Sequence, residues 1–405
     1  MKICMLATSF PRTHQDFVGQ WVFGLARALV AQGARVVVIS PHDHDTEGHE
    51  ILDGVEIRRF SYWFPKRAHG LCYGAGIPTN IRNRKWLIFQ FPALEAAFLV
   101  AAMRYGHDAD IFNAHWTFSA LPSVLVSKAL GKPLVTHAYS AEYVSSLLHP
   151  VNRFINCNSQ AVISISNFTH SVVEKVAPIR SHYVVGLGVN PEKIAPDDFN
   201  VMAFRSRIGV KSDEKMIFAV GRLVERKGYH ILIEAIAKLV NQGTKVKFLL
   251  AGQGPEREKL QAQILASDIG DRAYLLGFIP DEMLRFYLRA SDVLVMPSIV
   301  DHTGDTEGLG LPTIEAMANK TPVIASRIGG ITDIVYDGET GLLVPPDDPD
   351  ALAAAISRLF HDSLLQKQII SGGHKLFETT FSWETIAQRT LTIFDDAIRL
   401  KAVGS

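Results

Sequence analysis

Short apolar runs alternate with helical patterns along the whole chain, and this alternation constrains the fold more than any other feature. The first half contains seven runs that we predict to be strands, namely Lys2–Thr8, Ala34–Ser40, Val55–Phe60, Ala109–His115, Pro133–Ala138, Gln160–Ser166 and His182–Val185. The second half contains six more, namely Lys215–Arg222, Lys247–Gly252, Ala273–Phe278, Asp292–Ser298, Pro322–Ser326 and Gly341–Val344. Because amphipathic helical patterns separate most of these runs, the sequence predicts parallel sheets covered by helices on both faces.

The two series of strands are separated by a segment that is typical of a linker. Gly186–Pro191 contains two glycines, an asparagine and a proline, and the polar stretch Glu192–Asn200 follows it. We therefore predict an α/β protein with two doubly wound, Rossmann-like domains facing a cleft, 1–188 and 189–385. Residues 386–405 are predicted to form a C-terminal helix, which can pack on either domain and which we assign to the first. In doubly wound sheets ligands bind beyond the carboxyl ends of the strands, so the residues that follow strands are the candidates for chemistry.

The charge of the chain is balanced overall but not locally. The 41 Lys and Arg residues match 41 Asp and Glu residues, which argues against nucleic acid as a partner because a general binder carries a basic excess. Residues 1–185 hold 17 basic and 12 acidic residues, whereas the remainder holds 24 and 29. Most of the basic excess lies in Phe60–Arg104, where six basic residues accompany one acidic residue, Glu95.

Cysteine usage and hydropathy give the expected location of the protein. Cys4, Cys72 and Cys157 form no CxxC pair, so we expect neither disulfides nor a zinc site, and a reducing cytoplasmic setting. No uncharged apolar run approaches 18 residues, so we expect no membrane-spanning segment. The protein is expected to work in the cytoplasm, either free or attached peripherally to the inner face of the membrane.

Phe60–Arg104, called the basic aromatic segment below, has two interpretations. Its basic residues are interleaved with eight aromatic residues, namely Tyr62, Trp63, Phe64, Tyr73, Trp86, Phe89, Phe91 and Phe98. Basic residues beside Trp and Phe are typical of a contact with an anionic membrane surface or a lipid phosphate. The alternative is an insertion whose aromatic residues pack within their own domain, and the sequence favours neither.

The turn after the first strand of the second series has the composition of an anion site. Gly221 permits a tight exit from the strand, and the following residues include Arg222 and Lys227 before a helical pattern begins near Gly228. Arginine offers a forked, permanently charged donor and lysine a mobile point charge, and a helix N-terminus favours an anion further. The alternative is a solvated basic turn in which Glu225 supplies an internal partner.

A second candidate lies at Glu307–Glu315, after the predicted strand Asp292–Ser298 and a polar loop. Pro312 suits the first turn of a helix, where its missing N–H would have no partner in any case. Gly308 and Gly310 allow the backbone to approach a ligand and to present its N–H groups to phosphate oxygens. The carboxylates of Glu307 and Glu315 can accept hydrogen bonds from two separate sets of sugar hydroxyls. A simple acidic helix start would explain Glu315, but not the Gly-x-Gly sequence.

Together these motifs resemble those of the retaining glycosyltransferases of the GT-B fold, in particular glycosyltransferase family 4 (glycosyl transferases group 1). Both the Gly-Arg-Leu-x3-Lys-Gly and the Glu-x7-Glu patterns stand in family order. The match continues through Ala-Gly-x-Gly-Pro at 251–255, Gly-Gly-Ile-x-Asp at 329–333 and Asp-Gly-x2-Gly-Leu-Leu-Val at 337–344. It covers the second half of the chain almost continuously from Gly221 to Pro345.

The resemblance implies a role for each of these residues toward a UDP- or GDP-sugar donor. Arg222 and Lys227 would neutralise the donor diphosphate, Glu307 would contact the transferred sugar, and Glu315 would contact the ribose. The amides of the loop would hold the phosphates and sugar, and its residues are Gly308, Leu309, Gly310 and Leu311. Phe278 and Ile279 stand where the family binds the nucleotide base. No cofactor is expected, and a metal is not required, because the cationic residues and amides would stabilise the departing diphosphate.

The match in the first half is thinner. The segment Ser9–Gln20 follows the first strand with one glycine, Gly19, where family members often have two. His137 ends the predicted strand Pro133–Ala138, where the family carries a functional histidine near the reacting sugar. His115 ends another strand and could border the acceptor. A loop with three histidines and three acidic residues resembles a metal site only by count, and we expect a solvated loop there, namely at His42, Asp43, His44, Asp45, Glu47 and His49.

The sequence therefore predicts a retaining hexosyltransferase that uses a UDP- or GDP-sugar. The expected acceptor is a hydroxyl of a glycan or a lipid-linked acceptor of the cell-envelope or exopolysaccharide type, bound by the first domain. Two alternatives remain: a GT-B sugar-nucleotide epimerase or phosphorylase, and a non-catalytic subunit that binds nucleotide sugars. The complete set of Arg222, Lys227, Glu307 and Glu315 argues against the non-catalytic subunit, and no motif indicates the cofactor lysine of a phosphorylase.

Overall fold

The chain forms two units in the computed structural model, which describes residues 1–403 apart from 14, 15, 17, 44, 45, 75, 140 and 177, with the backbone alone at 141 and 144. Unit 1 comprises Met1–Gly188 and Trp383–Ser405, and unit 2 comprises Val189–Ser382. Each unit is a Rossmann-like α/β domain with its own sheet. The predicted fold class of two such domains is therefore confirmed.

One sheet forms the centre of unit 1. Its strands are β1 (Lys2–Ala7), β2 (Arg35–Pro41), β3 (His49–Leu52), β4 (Val55–Phe60), β5 (Ile111–His115), β6 (Leu134–Ala138), β7 (Ala161–Ser164) and β8 (His182–Val184). Among the described residues the strand order is β3-β4-β2-β1-β5-β6-β7-β8, and every pair is parallel except β3 with β4. Since β1 lies between β2 and β5, the strand order reverses there, and such a reversal opens a crevice at the carboxyl ends of the strands.

Helices cover both faces of this sheet because each buried strand presents apolar side chains on both sides. The helices are α1 (Gln20–Ala31), α2 (Ile77–Asn83), α3 (Phe91–Gly106), α4 (Thr117–Leu130), α5 (Ala141–Val144), α6 (His149–Asn158) and α7 (Asn167–Glu174). Ile3 and Met5 of β1 belong to the apolar cluster that contains α1. The alternate residues Cys4 and Leu6 belong to the cluster that contains α3 and α4.

Unit 2 has the dinucleotide-binding strand order. Its strands are β9 (Lys215–Val220), β10 (Val246–Ala251), β11 (Ala273–Gly277), β12 (Val293–Met296), β13 (Val323–Ser326) and β14 (Leu342–Val344). They are all parallel, and among the described residues their order is β11-β10-β9-β12-β13-β14. This is the 3-2-1-4-5-6 arrangement, whose switch point lies between the first and fourth strands, here β9 and β12.

The helices of unit 2 pack on both faces of the sheet, and a final helix returns to unit 1. They are α8 (Val201–Arg207), α9 (Tyr229–Asn241), α10 (Arg257–Ala266), α11 (Asp281–Ala290), α12 (Leu311–Ala318), α13 (Pro349–His361), α14 (Ser363–Leu376) and a π-helical turn (Phe377–Phe381). The last helix, α15 (Trp383–Val403), places Ile386, Phe394 and Ala397 in the same core as α1. It begins at Trp383, three residues before the expected boundary at 386. The Trp383 ring packs on Gly188, where a Cβ would lie 2.4 Å from it.

One strand was not predicted from the sequence. β3 is a polar edge strand in an antiparallel hairpin with β4, joined by Asp53 and Gly54, which both have positive φ angles. An Asp-Gly pair is a strong hairpin signal, but the run before it lacks the β-branched composition of a strand.

His42 lies in the loop before this hairpin. Its side chain is buried, and its Nδ1 lies 2.9 Å from Thr46 Oγ1. The expectation of a solvated loop was therefore wrong at His42, whereas His44 and Asp45 lie outside the described residues.

The segment Lys85–Gly106 is, within the described part of the chain, the one helical stretch long and apolar enough to cross a membrane by length and composition. Leu94, Phe98 and Ala102 of this stretch lie fully buried in the core of unit 1, packed against β2, β5 and α4. This burial identifies α3 as a core helix of unit 1.

Candidate active site

The two anion-site candidates of unit 2 follow the strands that flank its switch point. Gly221 directly follows β9, and the loop Ile299–Gly310 follows β12 and leads into α12. Arg226 connects them, because its backbone oxygen accepts a hydrogen bond from Ile299 at 2.9 Å and its guanidinium donates to the backbone oxygen of Thr306 at 2.9 Å. The topology thus brings together residues that are about 80 positions apart in sequence.

Lys227 and Glu307 form a buried ion pair at this point. The Nζ atom of Lys227 lies 2.5 Å from Glu307 Oε2, and the two side chains are only 9% and 12% exposed. Burial raises the pKa of Glu307, but the charges of Lys227, Arg226 and Arg222 outweigh this effect and hold the pKa below its usual value. Glu307 is therefore an ionised hydrogen-bond acceptor at neutral pH.

Arg222 remains available for a ligand. Its side chain is exposed, and within the described ranges it has no hydrogen-bond or ion-pair partner. Its charge acts on the carboxylate of Glu307, as noted above. A guanidinium without a partner beside a paired lysine offers two positive charges to an incoming diphosphate.

Two glycines permit the close packing that builds this site. Gly228 has a φ of 63°, and a Cβ on it would lie 1.9 Å from the backbone oxygen of Pro297. A Cβ on Gly330 would lie 2.0 Å from the backbone oxygen of Gly308, and the Gly330 amide donates to the backbone oxygen of Glu307 at 2.9 Å. These two glycines thus position the backbone around Glu307, since any larger residue would displace it.

The loop Gly308–Leu311 ends at the N-terminus of α12. Gly310 is the residue before the helix and has a φ of 91°. No side chain caps the helix among the described residues. Pro312 has no amide proton and the Thr313 amide donates to the backbone oxygen of Gly310 at 2.9 Å, so Leu311 supplies the first amide of the helix that faces the loop. The buried Glu315 follows within α12, where its Oε1 accepts a hydrogen bond from Lys193 Nζ at 2.7 Å. Lys193 also lies 3.4 Å from Asp281, and these two carboxylates outweigh the effect of burial and raise the pKa of the lysine.

Phe278 and Ile279 follow β11, which is an edge strand of the same sheet. The Phe278 ring is 60% exposed and Ile279 is half-buried. The preceding Gly277 accepts a hydrogen bond from the amide of Gly252 at 2.7 Å, which anchors the start of this loop to the end of β10. An exposed aromatic ring held at the carboxyl edge of the sheet can stack on a planar base.

In unit 1 the corresponding candidates lie at the carboxyl ends of β1, β5 and β6. Gly19 immediately precedes α1 with a φ of 69°, and a Cβ on it would lie 2.8 Å from the backbone oxygen of Ser9. Three residues of the segment Ser9–Gln20 lie outside the described residues, namely His14, Gln15 and Phe17. His115 and His137 are neighbours in register on β5 and β6.

His115 and His137 stack on each other, with ring centroids 4.5 Å apart and planes inclined by 15°. Nε2 of His115 lies 3.0 Å from Asn113 Oδ1 and its Nδ1 lies 2.7 Å from the Tyr139 hydroxyl. Because an amide oxygen only accepts, Nε2 carries the proton of a neutral His115, and Nδ1 accepts from Tyr139. Burial lowers the pKa of His137 to about 3, so His137 is neutral at physiological pH. Its Nε2 is buried without a hydrogen-bond partner among the described residues.

Comparisons with known proteins identify the family. The family described as Glycosyl transferases group 1 matches residues 201–376, and the family described as Glycosyltransferase Family 4 matches residues 18–193. A Salmonella typhimurium protein named as the colanic acid biosynthesis glycosyltransferase WcaL is 32% identical over 420 residues, a match that covers 97% of this chain and 99% of that protein. The chain belongs to glycosyltransferase family 4.

Solved structures share the fold of this glycosyltransferase. A sucrose-phosphate synthase from Thermosynechococcus elongatus matches with a TM-score of 0.80 and 25% identity, covering 98% of this chain and 99% of that one. HepE of Anabaena, solved in complex with UDP and glucose, matches with a TM-score of 0.75 and 21% identity, covering 98% and 100%. These matches confirm that the glycosyltransferase has the GT-B fold.

The structure adds partners that the sequence patterns of this glycosyltransferase did not indicate. Lys193, which pairs with Glu315, lies 122 residues before it. The side-chain amide nitrogen of Asn319 donates to the backbone oxygen of Lys193 at 2.8 Å, so the segment that follows the linker docks on α12. In unit 1, Asn113 and Tyr139 fix the tautomer of His115. No local spacing in the sequence relates Lys193 to Glu315, or Tyr139 to His115. Asn113 and His115 are the exception, because residues two apart on a strand lie on the same face of the sheet.

Proposed function

We propose that this protein is a retaining hexosyltransferase, which moves a hexose from a UDP- or GDP-sugar to a hydroxyl of a glycan or a lipid-linked acceptor. The observation that carries the proposal is the buried Lys227–Glu307 pair beside the unpartnered Arg222, at the switch point of a dinucleotide-binding sheet. The names of the relatives support it, since one is named for colanic acid biosynthesis and a structural neighbour binds UDP and glucose.

In this proposal unit 2 holds the donor. Arg222 and Lys227 bind the diphosphate, together with the amides of Gly308–Leu311 at the N-terminus of α12. Glu307 accepts hydrogen bonds from hydroxyls of the sugar, and Phe278 and Ile279 contact the base. Glu315 binds the ribose and shares its carboxylate with Lys193, because one carboxylate can accept several hydrogen bonds.

The proposed reaction is a front-face substitution that preserves the anomeric configuration. The bond between the anomeric carbon and the diphosphate oxygen breaks, and the acceptor oxygen bonds to the same face of that carbon. The acceptor proton passes to the departing diphosphate oxygen, so no protein base is required. His137 is neutral and acts as a hydrogen-bonding partner of the sugar, whereas Arg222 and Lys227 stabilise the charge that develops on the diphosphate. We accordingly propose that transfer needs no cofactor and no metal.

A panel of nucleotides and nucleotide sugars tests the donor assignment. Either UDP or GDP should raise the melting temperature of the protein, because a ligand at 100 times its Kd stabilises the folded state by about 2.7 kcal/mol. The corresponding nucleotide sugar should be hydrolysed slowly to the free sugar with retained configuration at first release, as measured by proton NMR. Both signals should persist in EDTA. If no nucleotide shifted the melting temperature at millimolar concentration, the donor assignment would be wrong, and conversion of the sugar nucleotide to an epimer would indicate an epimerase instead.

A pocket of about 420 Å³ in unit 1 is the proposed acceptor site. Its lining combines two tyrosines with charged and amide side chains, among them Arg12, Asp43, Tyr62, Tyr73, Asn80 and Arg84. Aromatic faces and mixed hydrogen-bonding groups suit a carbohydrate. Most of the lining belongs to the basic aromatic segment, and Arg12, Val18 and Asp43 are the lining residues outside it, which supports an acceptor that is held at a membrane surface.

The basic aromatic segment divides into a buried and an exposed part. Tyr62 and Phe98 lie in the core of unit 1, which agrees with the interpretation of packing within the domain. Phe64, Trp86 and Phe89 are 90%, 46% and 74% exposed. Five basic residues are exposed and have no ion-pair partner among the described residues, namely Lys66, Arg67, Arg82, Arg84 and Lys85. We propose that this exposed part attaches the protein to the inner face of an anionic membrane.

Charge reversal tests the membrane contact. The triple variant Arg82→Glu, Arg84→Glu and Lys85→Glu should bind vesicles of phosphatidylglycerol and phosphatidylcholine at least 10-fold more weakly in a sedimentation assay, since each basic residue near the surface contributes about 1 kcal/mol. The matched control reverses three exposed lysines of unit 2, Lys211, Lys367 and Lys375. If the wild type and both triple variants bound the vesicles equally, the membrane contact would be wrong. The basic aromatic segment would then be an insertion that packs within its own domain.

A further inference from the structure

A second cluster of chemically active side chains lies in unit 1, where α7 packs beside the edge strand β8. His170 and Glu174 are one helical turn apart on α7, and His170 Nδ1 lies 3.5 Å from Glu174 Oε2. His182 is the first residue of β8. Potential ligand atoms of all three side chains lie within 4.8 Å of one another, and no other group of three or more His, Cys, Asp or Glu residues does so in the described part of the chain.

The environment of His182 leaves one nitrogen without a partner. Its Nε2 lies 2.7 Å from the hydroxyl oxygen of Ser164 on the neighbouring strand β7. Its Nδ1 is buried and makes no hydrogen bond to any described residue. If Nε2 donates its proton to Ser164, Nδ1 is a hydrogen-bond acceptor that no described residue supplies with a donor. A buried polar atom without a partner is uncommon in folded proteins and calls for an explanation.

The two imidazole rings are also close enough to serve one ion. They stack with centroids 3.7 Å apart and planes inclined by 14°. Two nitrogens on a tetrahedral zinc ion with bonds of about 2.0–2.1 Å are about 3.4 Å apart. The lone pairs of stacked rings lie in nearly parallel planes, so the half-buried ring of His170, whose side chain is 28% exposed, would rotate to direct its lone pair at the same ion as His182.

Neutral imidazole is the form that ligates metals. When Nε2 of His182 donates to Ser164, the unpartnered Nδ1 carries the lone pair that a metal can take up. Glu174, which is 60% exposed on its side chain, supplies a negative charge and leaves room for water as a further ligand.

We propose that His170, Glu174 and His182 bind a divalent transition metal, Zn²⁺ by preference, with a water in the remaining position. Two imidazoles and a carboxylate are a donor set that zinc accepts, and Ser164 would fix the orientation of His182 through its other nitrogen. The ion would connect α7 to β8, a three-residue strand at the edge of the sheet. Its role would be to stabilise this edge of unit 1, and it is independent of the transfer reaction proposed above.

Metal titration tests this site on the full chain after removal of metals by a chelator. The wild type should bind one equivalent of Zn²⁺ in competition with a chromophoric chelator, and Co²⁺ should give visible d–d absorption bands. His170→Gln and His182→Gln should each weaken Zn²⁺ binding at least 10-fold. Tryptophan fluorescence should show a rise in melting temperature with Zn²⁺ in the wild type and not in the variants, and all five tryptophans lie in unit 1.

His374→Gln is the matched control. His374 and Glu378 of unit 2 have the same i,i+4 spacing and a 3.5 Å separation, but they belong to no group of three ligands among the described residues. This variant should bind Zn²⁺ as the wild type does. His170→Gln lies on an exposed helix face, so it separates metal loss from misfolding if His182→Gln fails to fold. Unchanged Zn²⁺ affinity in His170→Gln, or a wild-type Kd above 100 μM, would overturn the proposal and leave a purely structural pair of stacked rings.

Discussion

Replacement of Lys227 by alanine should lower the rate of sugar transfer by about 100- to 1,000-fold, because removal of one preorganised group that stabilises developing charge typically has an effect of this size. Lys227 is the buried member of the cationic pair, and its ammonium lies 2.5 Å from Glu307. The loss should appear mainly in kcat, since the diphosphate gains charge as the sugar departs. Initial rates of transfer from the nucleotide sugar that the panel identifies, measured with and without the substitution, check this prediction.

Lys238→Ala is the matched control for this variant. Lys238 lies on α9 of the same unit and forms an ion pair of the same length, 2.5 Å, but its partner Asp350 is exposed. Transfer should be unchanged, because an exposed pair contributes at most about 1 kcal/mol to stability and has no role at the site.

A folding control is also needed, because removal of one partner from a buried pair can cost about 3–5 kcal/mol of stability. The positive charges of Arg226 and Arg222 still stabilise the carboxylate of Glu307 in the Lys227→Ala variant, which limits the loss of stability. Glu307→Gln tests the pair from the other side and should also abolish most transfer while far-UV circular dichroism stays native. Full activity in both variants would contradict the assignment of this site.

Strand positions were predictable because the chain is built from parallel sheets. A strand buried on both faces is a continuous apolar run, and each of the 13 predicted runs overlaps a strand of the structure. β3 was missed because an edge strand that is half exposed carries polar residues, as His49 and Glu50 do here. Its signal was the following Asp53-Gly54 turn and not its own composition.

The site was predictable where function depends on local sequence, and not where it depends on distant contacts. Gly221, Arg222 and Lys227 follow one strand, and Glu307 follows another, so the rule for switch points brings them together. The pairing of Lys227 with Glu307 itself required the structure, since 80 residues separate them. The same holds for Lys193 and Glu315, whose contact depends on how the segment after the linker docks on α12.

The buried carboxyl group of Glu95 should make the stability of unit 1 depend strongly on pH. Glu95 lies on α3, and both of its side-chain oxygens are buried without a hydrogen-bond partner among the described residues. Burial raises its pKa to about 8 from the usual value of 4.5. The folded state therefore holds the proton more tightly than the unfolded state, so the contribution of Glu95 to stability is complete below pH 4.5 and is lost as the pH rises through 8.

The loss between pH 5 and pH 9 should be about 4 kcal/mol, at about 1.4 kcal/mol for each unit of difference in pKa. Glu95→Gln removes the titration while keeping the shape of the side chain, so its free energy of unfolding should fall by about 4 kcal/mol less than that of the wild type over this range. Other titrating groups, including Glu142, whose pKa burial raises to about 7, are present in both proteins and cancel in the comparison. Urea unfolding followed by tryptophan fluorescence reports unit 1 alone, since Trp21, Trp63, Trp86, Trp116 and Trp383 all lie there.

Glu384→Gln provides the control for this measurement, because Glu384 is an exposed glutamate on α15 of the same unit. Its unfolding free energy should follow the wild-type pH dependence.

Two outcomes are distinguishable. Parallel curves of unfolding free energy against pH for the wild type and Glu95→Gln would mean that the carboxylate of Glu95 finds a solvated position when it ionises. A divergence that begins above pH 5 and levels off above pH 8 would instead identify Glu95 as the group that destabilises α3 at high pH. Membrane binding should then weaken in the same pH range, because the exposed Trp86 and Phe89 lie in the turn that directly precedes α3.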